Sequence, residues 1–265
     1  MRKIITVTAI FLSIALLLIS GCRCKEPVSP PSAGQREPTP PSVSTTEPAQ
    51  EKTDNAAIVR KAIAGKLNKK PDELTTEDYE KTTELVLSGT AVSDLTPTKE
   101  LKNLQQLDLR GTAVSDLTPI KELTSLKLLF LGGTAVSNLT PIKELADLHR
   151  LVLSGTAVSD ITPIKELKGL QQLDLSSTAV SDFTPLKALN GLQFLSLDGT
   201  KVSDLAPIKE LKSLQHLWLS GTAVSDLTPL KALINLQDLL LSGTKVSDEQ
   251  VDELKKALPK TTIYR

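Results

Sequence analysis

The chain has 265 residues, with 31 Lys plus Arg against 31 Asp plus Glu and a formal net charge of zero. That balance gives no excess of positive charge for the phosphate backbone of a nucleic acid, so this class of partner is set aside. Aromatics are only 3% of the residues, so the core must be aliphatic. The cysteines, Cys22 and Cys24, are both near the start, so stability must come from packing rather than disulfides.

Met1-Arg2-Lys3 is a basic start, Ile4 to Ile19 is apolar and uncharged, and Ser20-Gly21-Cys22 brings small residues to the end of the run. This is the layout of a secretory signal peptide, expected over residues 1–21. The apolar run is shorter than the roughly 20 residues that span a bilayer, which favours an export address over a transmembrane anchor. Ile19-Ser20-Gly21-Cys22 resembles the bacterial lipobox. The resemblance implies cleavage before Cys22 and lipidation of that cysteine, with acyl chains contributing about 0.8 kcal/mol per buried methylene to membrane anchoring. Arg23, where Asp does not follow the cysteine, resembles lipoproteins forwarded to the outer membrane in bacteria that have two membranes. Cys24 is then a lone exported thiol: inert, capped or used between molecules.

Residues 22–53 follow as a linker, because Lys25 to Thr53 holds seven prolines and almost no large apolar side chains. Residues 54–81 read as a helical amino-terminal cap. In "NAAIVRKAIAGKL", Ile58, Ala62 and Ile63 lie near helical spacing, and "TTEDYEK" has a threonine-capped helix start.

From 82 to 247 one pattern repeats, as in "LQQLDLRGTAVSDLTPIKEL", with Leu104, Leu126, Leu148, Leu170, Leu192, Leu214 and Leu236 at one position of a 22-residue period. A period of this size is the mark of a solenoid. The alternation at Leu107 and Leu109 buries one side of a short strand, and stacked coils make a parallel sheet. The proline of each repeat, as at Pro119 and preceded by threonine in all but Ala206-Pro207, excludes a full helix from the return arm and leaves an irregular path or a short 3₁₀ turn. Residues 248–265 replace the proline arm with a helix-forming run and end in strand register at Thr261-Thr262-Ile263, a carboxy-terminal cap.

The pattern resembles the leucine-rich repeat in its 22-residue, internalin-like form, with Thr112 and its equivalents where the family has Asn. The resemblance implies an α/β solenoid with a parallel sheet on its inner face, 3₁₀ or irregular outer arms and a helical amino-terminal cap. Threonine ladders from coil to coil are the expectation for the Thr112 column. The Asp94, Asp116, Asn138, Asp160 column is expected to cap the return turns, a job Asn138 also performs. The Lys99 and Glu100 columns cancel each other's field and read as a solvated outer face.

Variation concentrates at the outward positions of the inner strands. Leu128, Phe130, Arg150, Phe194, His216, Trp218 and Leu240 lie there, with His149 beside them, and these eight are the candidate partner-binding residues. Aromatic side chains bury about 150–250 Å² each, enough together for a protein-binding patch. His149 and His216 lie three coils apart, roughly 14 Å at strand spacing, too far to share a metal. The chain has no nucleophile elbow, zinc-binding helix, phosphate loop or dinucleotide fingerprint. The expectation is therefore a non-enzymatic protein without cofactor, metal or small-molecule substrate. It is lipid-anchored in the bacterial envelope and presents its inner sheet face to a protein partner. A structural, wall-associated component and a host-directed adhesin are the alternatives.

Overall fold

The computed structural model describes residues 54–265; the signal peptide, Cys22 and the linker lie outside the described residues. Helix α1 (Asn55–Leu67) starts where the Asp54 carboxylate accepts the Ala57 amide at 2.9 Å, and stops at Asn68, which turns left-handed at φ 53°. Its buried stripe is Val59, Ile63 and Ala64. Ile58 and Ala62, near helical spacing with Ile63 as the sequence suggests, pack against the core while only partly buried. The segment has apolar residues on more than one side, and docking on the first coil selects among them. Helix α2 (Thr76–Lys81) opens with a reciprocal Thr75–Asp78 capping box.

Nine strands follow: β1 (Glu84–Val86), β2 (Gln106–Asp108), β3 (Leu128–Phe130), β4 (Arg150–Val152), β5 (Gln172–Asp174), β6 (Phe194–Ser196), β7 (His216–Trp218), β8 (Asp238–Leu240) and β9 (Thr262–Tyr264). They form one parallel sheet in chain order. Register places equivalent residues side by side, as in Leu107 with Leu129 and Leu129 with Leu151. Helix α3 (Asp248–Ala257) lies between the last two strands in the chain, starts on a Ser247 cap and buries Val251 and Leu254.

The leucine of each strand points inward: Leu107, Leu129, Leu151, Leu173, Leu195 and Leu217 are fully buried. From β1 to β8, each coil returns through a 3₁₀ turn with proline in its first positions, such as Thr118–Ile120 and Thr162–Glu166. Seven side chains close these turns. Asp94, Asp116, Asn138, Asp160, Asp182, Asp204 and Asp226 each accept the amide two residues on at 2.8–2.9 Å. The capping expectation for this column is met.

The threonine column differs from its expectation. Thr90, Thr112, Thr134, Thr156, Thr178, Thr200, Thr222 and Thr244 each donate Oγ1–H to the leucine carbonyl three residues earlier, at 2.6–2.7 Å. These bonds stay within one coil. The tight turn brings that carbonyl against the hydroxyl, so the threonine is spent locally. Coil-to-coil bonding falls instead to the backbone, which continues past the strands through pairs such as Leu109 N–H to Phe130 O and Gly111 N–H to Gly132 O, both 2.9 Å.

Candidate functional site

Because a strand alternates its side chains, the residues flanking each inward leucine stand on the opposite, inner face of the coil. One row runs Glu84, Gln106, Leu128, Arg150, Gln172, Phe194, His216, Asp238 and Thr262; the other runs Val86, Asp108, Phe130, Val152, Asp174, Ser196, Trp218, Leu240 and Tyr264. Of the candidate residues, Leu128, Phe130, Arg150, Phe194, His216, Trp218 and Leu240 all lie in these rows. His149 does not. It precedes β4 by one residue and its Nδ1 meets the Asp147 carbonyl, which places it at the margin of the face.

The face divides along the sheet. Across β2–β4, Phe130 lies between two guanidinium groups, with the Arg110 Cζ 5.3 Å and the Arg150 Cζ 5.1 Å from the ring centre. Arg110 is anchored: its Nε donates to Asp108 Oδ1 at 2.9 Å and its second terminal nitrogen to Oδ2 at 2.5 Å. This bond raises the Arg110 pKa, and Asp108 is only 4% exposed. Sequence reasoning did not single out Arg110, although the alternation 106, 108, 110 carries it onto the same face. Arg150 is in the opposite state. Burial lowers its pKa, Asp174 offsets this through space, and the neighbouring charge of Arg110 adds to the lowering.

The middle of the face is acidic, and its carboxylates are bonded within the protein. Asp174 accepts the Ser176 amide and hydroxyl at 2.9 and 2.6 Å, and Asp198 accepts the Ser220 amide at 2.6 Å. Burial pushes the Asp198 pKa up, and Asp174 nearby adds to the shift. Across β6–β9 the face turns apolar. Phe194 packs edge-on against Trp218 with ring centres 4.8 Å apart, and it is only 6% exposed. Trp218 pairs in register with Leu240, and Leu240 with Tyr264, which is 50% exposed. Tyr264 extends the row by one more ring; it lies one residue beyond the strand register read from the sequence. His216 Nδ1 and Asp238 Oδ2, 2.8 Å apart, border this patch.

No cluster of three His, Cys, Asp or Glu side chains suited to a metal occurs among the described residues. The arrangement offers contact area, cation–π groups and hydrogen bonds in place of a reacting constellation. An extended sheet surface built from repeats is what solenoid proteins use for binding.

The family model for Leucine Rich repeats (2 copies) matches residues 190–232. No curated protein sequence matches the chain. Among solved structures, internalin C2 of Listeria monocytogenes is 30% identical with a TM-score of 0.70, and the match covers 78% of this chain and 92% of that one. An internalin (inlF) of the same organism is 25% identical with a TM-score of 0.69, covering 79% of this chain and 68% of that one. A leucine-rich-repeat protein of Leptospira interrogans is 26% identical with a TM-score of 0.66, covering 72% of this chain and about half, 51%, of its own. With strand order, 3₁₀ return arms and nearly the whole length of internalin C2 in agreement, the chain belongs to the internalin-type leucine-rich-repeat family.

Proposed function

We propose that this protein is held in the bacterial envelope by lipid on Cys22 and binds a protein partner with the inner face of its repeat sheet. The observation that carries the reading is the apolar row Trp218, Leu240 and Tyr264, buttressed by Phe194. The leucine core is complete without these side chains, so the row is surface that packing does not require. Phe194 serves as support for Trp218 rather than as contact area, since its ring is nearly covered. Trp218 is the expected anchor, because tryptophan in a partly desolvated setting is over-represented among residues that dominate binding.

Two measurements test the two halves. A photo-crosslinking amino acid placed at Leu240 in living cells is expected to capture a protein, and one placed at Lys209 on the outer arm is not; equal capture from both positions overturns the inner-face assignment. Metabolic labelling with a palmitate analogue is expected to mark the wild-type chain and to vanish in Cys22→Ala; labelling that survives the substitution overturns the anchor.

A further inference from the structure

Among the described residues, Arg150 on the inner face is a cationic group with no protein hydrogen-bond partner. Arg110 and Arg150 flank the same ring, but only Arg110 has a carboxylate partner. Among the described residues no side chain hydrogen-bonds or ion-pairs with the Arg150 guanidinium; its contacts are the Phe130 ring and the through-space influence of Asp174 and Arg110. It is also half-buried, so its donors have given up part of their water. The register neighbour of Arg150 is Gln172, whose buried Oε1 has no hydrogen-bond partner among the described residues. Donors and an acceptor thus stand unmatched side by side on β4 and β5.

We propose that Arg150 is the receptor for a carboxylate of the protein partner, an Asp or Glu on a segment that also lays an apolar side chain on the Trp218 row. This rests on the inner-face reading above and adds the chemistry of the partner. A planar guanidinium takes a carboxylate through two parallel N–H···O bonds, and Phe130 behind it limits how far it can swing. A peptide fits the neighbouring surface better than a sugar, because Leu128, Val152 and Leu240 offer nothing to hydroxyl groups. Arg150 in β4 and Trp218 in β7 are three strand intervals apart across the sheet and two residues apart along it, about 16 Å in all, which an extended segment covers in about four to five residues.

The test pans a displayed library of random dodecapeptides against the full chain and against Arg150→Gln, Arg150→Lys and Trp218→Ala. Wild type is expected to select an acidic residue about four positions from an aromatic or aliphatic one. Arg150→Gln is expected to lose the acid but keep the apolar preference, and to bind the best wild-type peptide about tenfold or more weakly. Arg150→Lys, which keeps the charge and loses the fork, is expected to fall between them and stands in if the glutamine variant does not fold. Peptides that depend on Trp218 but show no acid, or an acid that survives Arg150→Gln, overturn this inference and leave the inner-face reading in place. Peptides that depend on neither residue overturn both. Retention on immobilised heparin that Arg150→Gln abolishes, with no acidic peptide selected, assigns Arg150 to the anionic groups of a polysaccharide and overturns the proposal as stated.

Discussion

Ser177 holds φ at 55° in a column where Gly89, Gly111, Gly133, Gly155, Gly199, Gly221 and Gly243 hold φ between 64° and 71°. A Cβ at Gly89 or Gly111 would meet nothing within 4 Å, so backbone sterics rather than crowding favour glycine there. A left-handed L-residue costs roughly 1–2 kcal/mol, and glycine returns about 0.5–1 of that as extra freedom in the unfolded chain. Ser177→Gly is expected to stabilise the protein by up to about 1 kcal/mol, read as a higher urea midpoint at unchanged m-value; a lower midpoint contradicts it. The aspartate column makes a separate, pH-dependent prediction. Hydrogen bonds from Thr118, Thr162, Thr184 and Thr228 hold the carboxyls of Asp116, Asp160, Asp182 and Asp226 below the usual value. A folded pKa below the unfolded one means that the stabilisation is complete above the unfolded value of about 3.9 and fades as pH falls through the folded values. Thermal melts are expected to be flat from pH 5 to 7 and to drop below about pH 4, with a smaller drop in Asp160→Asn, because an asparagine already makes the same bond at position 138.

The two end elements show what patterning can and cannot reveal. The Thr75 cap and the switch from proline arm to helix at Asp248 were legible because capping residues and prolines act through local backbone geometry. The buried side of α1 was not, since Ile58, Val59, Ala62, Ile63 and Ala64 crowd several directions of a short helix and only the first coil decides which are covered. The same reason applies to the inner face: alternation identified its rows, but which arginine is paired and which ring is covered depends on contacts between coils. The helix can be tested with a matched pair of substitutions. Ile63 is 1% exposed, so Ile63→Ala is expected to cost about 2–5 kcal/mol, whereas the half-buried Ile58→Ala should cost clearly less. Equal losses in chemical denaturation would contradict the assigned orientation of α1. In the adjoining α2, Asp78 accepts from Lys69 Nζ at 2.7 Å and from the Thr75 amide at 2.8 Å, which lowers its pKa to about 2. Its contribution is therefore present above about pH 4 and is lost only as pH approaches about 2.

At the scale of the molecule, each coil touches mainly the coils beside it, so stability is close to a sum over repeats and their interfaces. Equivalent residues of successive coils, such as Gln106 and Leu128, are paired in register, so removing one whole period leaves every remaining leucine facing a leucine. Deleting residues 155–176 takes out β5 and rejoins Ser154 to Ser177 with the pattern intact; deleting residues 89–110 does the same for β2. Both shortened proteins are expected to unfold in one transition, with a smaller m-value because less surface is exposed. A deletion of half a period puts polar positions into the leucine stack and is expected not to fold. The two whole-period deletions differ in function. Removing residues 155–176 brings Arg150 one strand, about 4.8 Å, closer to Trp218, whereas removing residues 89–110 leaves that span unchanged and takes away Arg110. A partner segment that reaches both Arg150 and Trp218 should therefore bind the second shortened protein far better than the first, measured as the affinity of one selected peptide for both. Equal affinity would mean that the two halves of the face are not bridged by a single segment.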